Sequence, residues 1–282
     1  MTISASKTGT LYIVATPIGH RNDITIRAQE TLASVDAILA EDTRHSQLLL
    51  THLGINKALI SLHSHNEAQK TASIITALQT GQSFALISDA GTPLISDPGY
   101  PLVKEARSLG IDVVPIPGPC AFVAALSAAG IPCDTFTFYG FLPAKPLARR
   151  HKLEQMRMVP HTVIFYESTH RLLACLDDIM SVFSPDVELV LAKELTKAFE
   201  QIKVDDCSTI KAWLLEDPAR IKGEFVLILP TRPTEQTLTD ETRLLSLLLE
   251  ALPVRQAAQL ASKITGSSKN ELYQVALQLQ KR

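Results

Sequence analysis

The sequence predicts an α/β protein in which a parallel sheet with helices on both faces is followed by a second, mixed sheet and a small helical module. The main observation is that strand, loop and helix patterns alternate five times between residues 11 and 129. Helices that return the chain between strands make such a sheet parallel. Beyond residue 136 the predicted strands have fewer helices between them, which is typical of a mixed sheet.

Five short apolar runs predict the strands of the first sheet. They lie at residues 11–15, 37–40, 59–60, 84–87 and 113–116. The first strand is followed by a helix that runs to residue 33 and that Asp23 or Thr25 could cap. Further helices are predicted from the segment 62–67 to residue 78, at 100–109 and at 120–129.

The second sheet is predicted from four further runs, at residues 136–140, 162–166, 188–192 and 224–229. Residues 230–240 are rich in Thr and Pro, which is typical of a linker. The tail, residues 241–282, is predicted to be helical throughout. Two of its helices meet at Gly266, and this pair could be a helix-turn-helix or a plain hairpin that covers core surface. We therefore expect domains at residues 1–119, 120–231 and 241–282.

Composition excludes some classes of function. The chain of 282 residues is 46% hydrophobic and has a formal charge of −2, so it can bury a large core and has no global attraction for nucleic acid. Basic residues nevertheless concentrate at 144–157 and 251–282. Such segments are usually solvated surfaces, although both could contact a polyanion.

The cysteine pattern and the hydropathy predict an intracellular protein without a metal. The four cysteines form no C-x-x-C pair and no metal-ligand spacing with histidines, so reduced thiols are expected. No apolar run reaches the roughly 18 residues that a membrane helix needs, and the N-terminal residues lack the apolar core of a signal peptide. We expect a cytoplasmic location and no membrane contact.

The most informative segment is the loop SDAGTPLISDPG at residues 88–99. It follows a predicted buried strand, precedes a helix, and contains two turn signals, at 91–93 and 97–99. Loops at the carboxyl ends of parallel strands bring backbone amides to small ligands. A ligand cradle is therefore the favoured interpretation, and a rigid surface loop is the alternative.

The glycine spacing limits the choice of ligand. The chain has no G-x-G spacing, which dinucleotide-binding fingerprints require, and no phosphate-binding loop with paired glycines. Instead, single glycines stand beside prolines at 17–19, 91–93 and 117–119. This pattern suits an adenosine-type cofactor that is held without a pyrophosphate.

Several motifs resemble those of a known family. The first-half segments LYIVATPIG, AEDTRHS, LHSHNE, SDAGTPLISDPG and VPIPGPCA are similar to the tetrapyrrole-methylase fold of S-adenosylmethionine-dependent methyltransferases. The later segments FYGFLPAK, FYESTHRL, AKELTKAFE and GEFVLIL resemble the bacterial small-subunit ribosomal RNA (cytidine-2′-O)-methyltransferases. The resemblance covers nearly the whole chain, including the helical tail.

The resemblance implies that S-adenosylmethionine binds in a cleft between two α/β domains of the tetrapyrrole-methylase type. It also implies 2′-O-methylation of a cytidine, ribosomal RNA or the small ribosomal subunit as partner, and a twofold homodimer. The implied cofactor contacts are Pro17, Ile18, Asp89, Gly91, Thr92, Ile95, Cys120, Ala121, Tyr166, Leu195, Glu224 and Phe225. Relatives that methylate porphyrin precursors have Gly-Asp-Pro where this chain has Gly91-Thr92-Pro93, so a tetrapyrrole substrate is not implied.

Polar residues at strand ends are the candidates for catalysis. A ribose hydroxyl needs its proton accepted while it attacks a methyl group, and correct orientation helps greatly. The candidate bases or orienting groups are Glu41, Asp42, His45, Glu167, Lys193 and Glu194. None of them stands out from the sequence, and Glu41 and Asp42 could equally form a structural ion-pair corner with Arg44.

Basic residues are the candidates for RNA binding, because they contact phosphates well. They are Arg44, Lys145, Arg149, Arg150 and Arg171. The tail is expected to help seat RNA, and the alternative is that it covers core surface. Two other functions stay open: a methyltransferase of the same fold that acts on a tetrapyrrole or a protein, and a non-catalytic ribosome-associated binding module.

Overall fold

The computed structural model describes residues 8–230 and 235–280. These residues fall into two compact units, and the boundary between them follows Pro230. Residues 158–161 group with the C-terminal unit. The predicted fold class is confirmed: a parallel sheet, a mixed sheet and a helical C-terminal module are all present. Within the described ranges no helix is both long enough and apolar enough to cross a bilayer.

The first sheet contains five parallel strands in the order β3-β2-β4-β1-β5. The strands are β1 Thr10–Val14, β2 Ala37–Ala40, β3 Ala58–Ser61, β4 Phe84–Ile87 and β5 Asp112–Ile116. The helices between its strands are α1 Ile26–Ser34, α2 Thr43–His52, α3 Glu67–Gln79 and α4 Tyr100–Ser108, and α5 Ala121–Ala128 follows β5. Every residue of β2 and β4 is buried, as expected for central strands whose two faces are both covered by helices.

Local capping explains where two of these helices begin. The hydroxyl of Thr25 accepts a hydrogen bond from the backbone N–H of Ala28, so Thr25 and not Asp23 caps α1. Asp42 caps α2 in the same way, since its carboxylate accepts from the backbone N–H of Arg44. The sequence analysis did not predict α2.

The second sheet has the order β6-β7-β10-β8-β9, and only the pair β6–β7 is parallel. Its strands are β6 Phe136–Phe141, β7 Thr162–Ser168, β8 Glu188–Lys193, β9 Gln201–Asp206 and β10 Glu224–Leu229. Three helices separate them: α6 Pro146–Arg157, α7 Leu172–Val182 and α8 Cys207–Glu216. Four helices, α1 to α4, lie between the strands of the first sheet, so the expectation of fewer helices in this half is confirmed. The edge strand β9 was missed, because its sequence QIKVDD is polar and mostly exposed.

Helix α5 packs on the second sheet although it follows the last strand of the first. Its residues Ala125 and Leu126 share an apolar cluster with Ile164 of β7 and Val226 of β10. Ile18, from the loop after β1, belongs to the same cluster. The loops at the carboxyl end of the first sheet are thus packed directly against the second sheet.

The C-terminal unit contains α9 Glu235–Leu249, α10 Val254–Thr265 and α11 Lys269–Gln280. The three helices enclose their own apolar core, with Leu245, Ala258 and Leu272 at its centre. Gly266 has a φ of +79° and ends α10, as predicted. The predicted linker is shorter than expected, because α9 begins at residue 235. Residues 231–234 of that linker lie outside the described part of the chain.

Candidate active site

A cavity of about 530 Å³ lies among the loops at the carboxyl ends of the first sheet and the facing strands of the second. A cavity of this size accommodates a cofactor-sized molecule. The first half contributes Ile18, Glu41, Asp89, Ala90, Gly91, Thr92, Ile95, Ser96, Asp97, Cys120 and Ala121 to its wall. The second half contributes Phe141, Tyr166, Glu167, Ser168, Thr169, His170, Ala192, Leu195, Gly223, Glu224, Phe225 and Val226.

All the residues that the resemblance implies as cofactor contacts line this cavity, except Pro17. Pro17 is buried next to the lining residue Ile18. The structure thus gathers residues from six separate segments around one space. Their role in holding a cofactor remains a prediction.

Three loops of the first sheet are tied together at the cavity. Thr16 and Gly91 exchange two backbone hydrogen bonds of 2.9 and 3.1 Å, which join the loops after β1 and β4. The hydroxyl of Thr92 donates to the carbonyl of Pro119 at 3.0 Å and so adds the loop after β5. Because β1 and β4 are neighbours at the point where the strand order reverses, this is where open α/β sheets bind ligands.

The loop at residues 88–99 is held in a strained conformation. Leu94 and Ser96 have φ angles of 68° and 76°, which residues with a side chain rarely adopt. At its far end, the backbone N–H of Gly99 donates a 2.7 Å hydrogen bond to the buried carboxylate of Glu67. Such strain persists only where surrounding contacts enforce it, and it is frequent at functional sites.

Three carboxylates from the first half line the cavity, and none of them forms an ion pair with a lysine or arginine in the described part of the chain. They are Glu41 after β2, and Asp89 and Asp97 in the loop after β4. Burial raises the pKa of Asp97 to about 6, and the charge of Glu41 adds to the effect. Burial and the charge of Asp89 also raise the pKa of Glu41, against an opposing effect of His63. Among the residues that line the cavity, none is Lys or Arg.

The second half contributes the aromatic residues Phe141, Tyr166 and Phe225 to the cavity wall. The Tyr166 ring makes edge contacts with Phe138 and Phe141, at 4.9 and 5.6 Å between ring centroids. Its hydroxyl accepts a hydrogen bond from the backbone N–H of Phe122 at 3.3 Å. Burial raises the pKa values of both Tyr166 and Cys120, so both groups are neutral near pH 7.

The segment after β8 is fixed by an ion-pair bridge. The Lys197 ammonium contacts Glu194 at 3.0 Å and Glu224 at 2.8 Å. Although burial raises the pKa of Glu194, hydrogen bonds from Lys197 and from the Glu224 backbone hold it below its usual value. Glu194 and Thr196 have positive φ angles on either side of Leu195, which reaches the cavity.

Among the candidate catalytic residues, only Glu41 and Glu167 line the cavity. Glu194 is engaged with Lys197 and does not line it, and Lys193 is buried, with its ammonium 6.0 Å from the ring centroid of Phe199. His45 is exposed on α2. Glu167 is buried and forms a 3.2 Å ion pair with Arg171.

Asp42 and Arg44 form an exposed ion pair at the start of α2. Their side chains approach to 3.1 Å, and hydrogen bonds from Arg44 lower the pKa of Asp42 to about 2. Asp42 therefore matches the ion-pair alternative considered for this corner, whereas Glu41 is not part of the pair and lines the cavity.

Two of the candidate phosphate contacts do not fit their expected role. Arg149 is 2% exposed, and its guanidinium pairs with Asp178 at 2.7 Å, so it has no surface to offer a phosphate. Arg171 is occupied by Glu167 and by the carbonyl of Leu142. Arg150 also pairs with Asp178, yet its side chain is 43% exposed, and Lys145 is exposed.

The sequence analysis did not nominate several lining residues. They include Ser96, Asp97, Phe141, Ser168, Thr169, His170 and Gly223. Asp97 belongs to a turn signal of the loop, and residues 168–170 belong to the FYESTHRL segment, so a signal was present in both cases. The hydroxyl of Thr169 donates to the Gly223 carbonyl and accepts from its N–H, which joins the ends of β7 and β10.

Comparison with known proteins places this site in a family. Residues 10–211 match the family model described as Tetrapyrrole (Corrin/Porphyrin) Methylases, and residues 235–280 match the model described as RsmI C-terminal HTH domain. The chain is 53% identical over 274 residues to Ribosomal RNA small subunit methyltransferase I of Escherichia coli O157:H7, covering 96% of each chain. The chain belongs to the ribosomal RNA small subunit methyltransferase I family. The family expected from the sequence motifs is thereby confirmed.

Solved structures support the fold of this family member. Uroporphyrin-III-C-methyltransferase from Thermus thermophilus superposes with a TM-score of 0.55 at 20% identity, covering 79% of this chain and 94% of that one. A diphthine synthase superposes with a TM-score of 0.60 at 13% identity, covering 79% and 90%. At these identities the likeness concerns the fold alone.

Proposed function

We propose that the protein transfers a methyl group from S-adenosylmethionine to the 2′-hydroxyl of a cytidine in small-subunit ribosomal RNA. One observation carries the proposal: the motifs shared with the family converge on a single cofactor-sized cavity at the strand-order reversal of the first sheet. The relatives are named for methylation of small-subunit ribosomal RNA. The family match and the cavity together therefore support methyltransferase chemistry at this site.

The cavity fits S-adenosylmethionine in charge and in polarity. Three carboxylates without basic partners among the lining residues suit a ligand whose sulfonium and amino groups are positive. Apolar side chains such as Ile18, Leu195 and Phe225 suit an adenine ring and a ribose edge. No Lys or Arg lines the space, which disfavours a pyrophosphate.

The residues that would hold the cofactor are those that the loops present together. Gly91 and Thr92 would offer backbone groups, and Cys120 and Ala121 would contact it at the start of α5. When bound, S-adenosylmethionine supplies a methyl group on an electron-poor sulfur. The aromatic side chains of Phe141, Tyr166 and Phe225 would help to exclude water. The loop conformation is fixed before binding, so little further ordering of the loop is needed during the reaction.

Ribosomal RNA or the small ribosomal subunit would be held by basic surfaces outside the cavity. Lys145 and Arg150 are accessible on or beside α6. In the C-terminal unit, Arg255, Lys263 and Lys269 are exposed. Such side chains position an RNA through its phosphates and leave base recognition to other groups. We propose that the C-terminal unit, which matches a helix-turn-helix model, seats the RNA.

The test offers radiolabelled S-adenosylmethionine together with one acceptor at a time. The acceptors are small ribosomal subunits, naked small-subunit ribosomal RNA, a porphyrin precursor and a protein extract. We expect label in RNA, at a cytidine whose 3′ phosphodiester resists alkaline cleavage because its 2′-oxygen is methylated. If alkali still cleaves the phosphodiester 3′ to the labelled nucleotide, the result contradicts ribose methylation. Label in porphyrin or protein would contradict the RNA substrate.

A further inference from the structure

We propose that Asp97 accepts the proton of the RNA hydroxyl that is methylated, with Glu41 as the neighbour that tunes it. This inference rests on the proposed function, because it names the proton acceptor for that same reaction. Asp97 lies in the loop between β4 and α4, and neither its position nor its spacing marks it as a base in the sequence. Its surroundings in the folded chain do.

The first step of the argument is placement. Asp97 is half-buried and lines the cavity between β4 and α4. The residue before it, Ser96, has a φ of 76°, and two residues later the N–H of Gly99 is held by Glu67. The backbone on both sides of the carboxylate is thereby fixed. Fixed orientation toward bound reactants is what a catalytic group needs.

The second step concerns charge. The titratable groups that face Asp97 are Glu41, Asp89 and Tyr166. Glu41 in turn faces Asp89 and His63. Burial raises the pKa of Asp97 to about 6, the charges of Glu41 and Asp89 add to this effect, and the nearby Ser88 hydroxyl opposes it. A carboxylate in this range is ionised at neutral pH and is a stronger base than an ordinary aspartate.

The third step is elimination among the other carboxylates. Glu167 and Glu224 each contact a basic side chain, Arg171 and Lys197 respectively. The carboxylate of Asp89 accepts from the backbone N–H of Asp42 at 3.2 Å and so has a structural task. Glu41 is the remaining alternative, and the test below treats it separately.

The chemical step balances without a further reactant. The ribose oxygen forms a bond to the methyl carbon while the bond from that carbon to sulfur breaks. The sulfur keeps the electron pair and becomes a neutral thioether. The hydroxyl proton moves to the ionised carboxylate of Asp97, from which it passes to solvent after the product leaves.

The experiment compares Asp97→Asn with Glu41→Gln and with Asp112→Asn, a matched control at an exposed carboxylate on β5. Single-turnover methylation of small-subunit ribosomal RNA is measured from pH 5 to pH 9. We expect the wild-type rate to rise through about pH 6 and Asp97→Asn to lose about 10²- to 10⁴-fold in rate. Glu41→Gln should keep a rise but shift it to lower pH, because one negative neighbour of Asp97 is gone. The control should match the wild type.

A second readout does not depend on catalysis. Calorimetry of S-adenosylmethionine binding near pH 6, in buffers of different ionisation enthalpy, measures proton release. The positive ligand should lower the pKa of Asp97 and release a proton in the wild type, and Asp97→Asn should abolish this release while still binding. If Asp97→Asn does not bind S-adenosylmethionine, the Asp97→Glu variant still tests the proposal. It keeps a carboxylate and should restore both binding and part of the rate.

Two outcomes overturn the proposal. Asp97→Asn with the wild-type rate would show that another group takes the proton. A slow Asp97→Asn variant combined with an unshifted pH profile in Glu41→Gln would show that Asp97 has only a structural role. Failure of the proposed function is distinguishable, because it appears in the wild-type protein as label at an atom other than the 2′-oxygen, and the Asp97 assignment then falls with it.

Discussion

The buried carboxylate of Glu67 accepts a 2.7 Å hydrogen bond from the backbone N–H of Gly99, which stands just before α4. Glu67 is the first residue of α3, and Asn66 shapes the turn before it by accepting from the N–H of His63. Gly99 itself has a φ of +128°, and a Cβ there would lie 2.7 Å from Leu86. One carboxylate from the HSHNE segment thus anchors the far end of the cavity loop at residues 88–99.

Replacing Glu67 with Ala should loosen this loop. The change leaves a buried N–H without an acceptor, so the free energy of unfolding should fall by about 1–3 kcal/mol. Denaturant unfolding measures that loss, and calorimetry should show weaker S-adenosylmethionine binding. Glu67→Gln keeps an acceptor oxygen and should recover most of both. Glu105→Ala, at an exposed position on α4, is the control, and equal losses in the control would refute the anchoring role.

Gly91 should be sensitive for two separable reasons. Its φ of +85° strains any other residue by about 1–2 kcal/mol. A Cβ would also lie 3.4 Å from Ile18, which lines the cavity. We expect Gly91→Leu to lose both stability and S-adenosylmethionine binding. Gly54→Ala is a matched control, because Gly54 has a φ of +69° and open space around it. Melting curves should show that the control loses stability while calorimetry shows that it binds normally.

The sequence was informative where function depends on local chain geometry. Turn residues at 91–93 and 97–99 indicate a rigid loop because Gly and Pro fix dihedral angles by themselves. Asp97 was not nominated, since its raised pKa comes from burial in the folded chain and from the charge of Glu41, which lies after β2 and is distant in sequence. Arg149 was misinterpreted for the same reason: a basic run suggests a phosphate contact, while its partner Asp178 lies on α7. Long-range pairing of charges cannot be read from spacing.

Asp97 should also make stability depend on pH. Its pKa is raised to about 6 in the folded protein from a usual 3.8, so the folded state favours the protonated form. The resulting stabilisation is fully present below about pH 4 and is lost as the pH rises through 6. Asp97→Asn stays neutral at every pH. Thermal melting should therefore show a higher melting temperature than wild type at pH 8 and no gain at pH 4, whereas an equal difference at both values would contradict the raised pKa.

We expect a twofold homodimer in solution. The family resemblance implies pairing through the α/β domains, and closed twofold pairs are the commonest assemblies. Exposed apolar side chains such as Val123, Phe136 and Leu147 would be available to a partner. Light scattering at micromolar concentration should give about twice the 30.8 kDa mass of one chain. A mass of one chain would rule the dimer out.

The C-terminal unit should bind RNA without forming the cofactor site. It has its own apolar core around Leu245 and Leu272, and no residue beyond 226 lines the cavity in the described ranges. Deleting residues 235–282 should therefore preserve S-adenosylmethionine affinity and the melting temperature while weakening RNA binding and methylation. If the deletion lowers the melting temperature sharply, the unit instead covers apolar core surface of the remaining chain. If the truncated protein is stable and methylates at the full rate, the unit neither binds RNA nor covers the core.

Point variants can test RNA binding by the C-terminal unit without removing the whole unit. Lys263 and Lys269 are exposed near the turn between α10 and α11. If each contacts a phosphate, replacing either with Ala should reduce the slope of log affinity against log salt by about one unit. Gln256→Ala, an exposed neutral position on α10, should leave the slope unchanged. Equal salt slopes in all three variants and the wild type would mean that these lysines stay in solvent when the RNA binds.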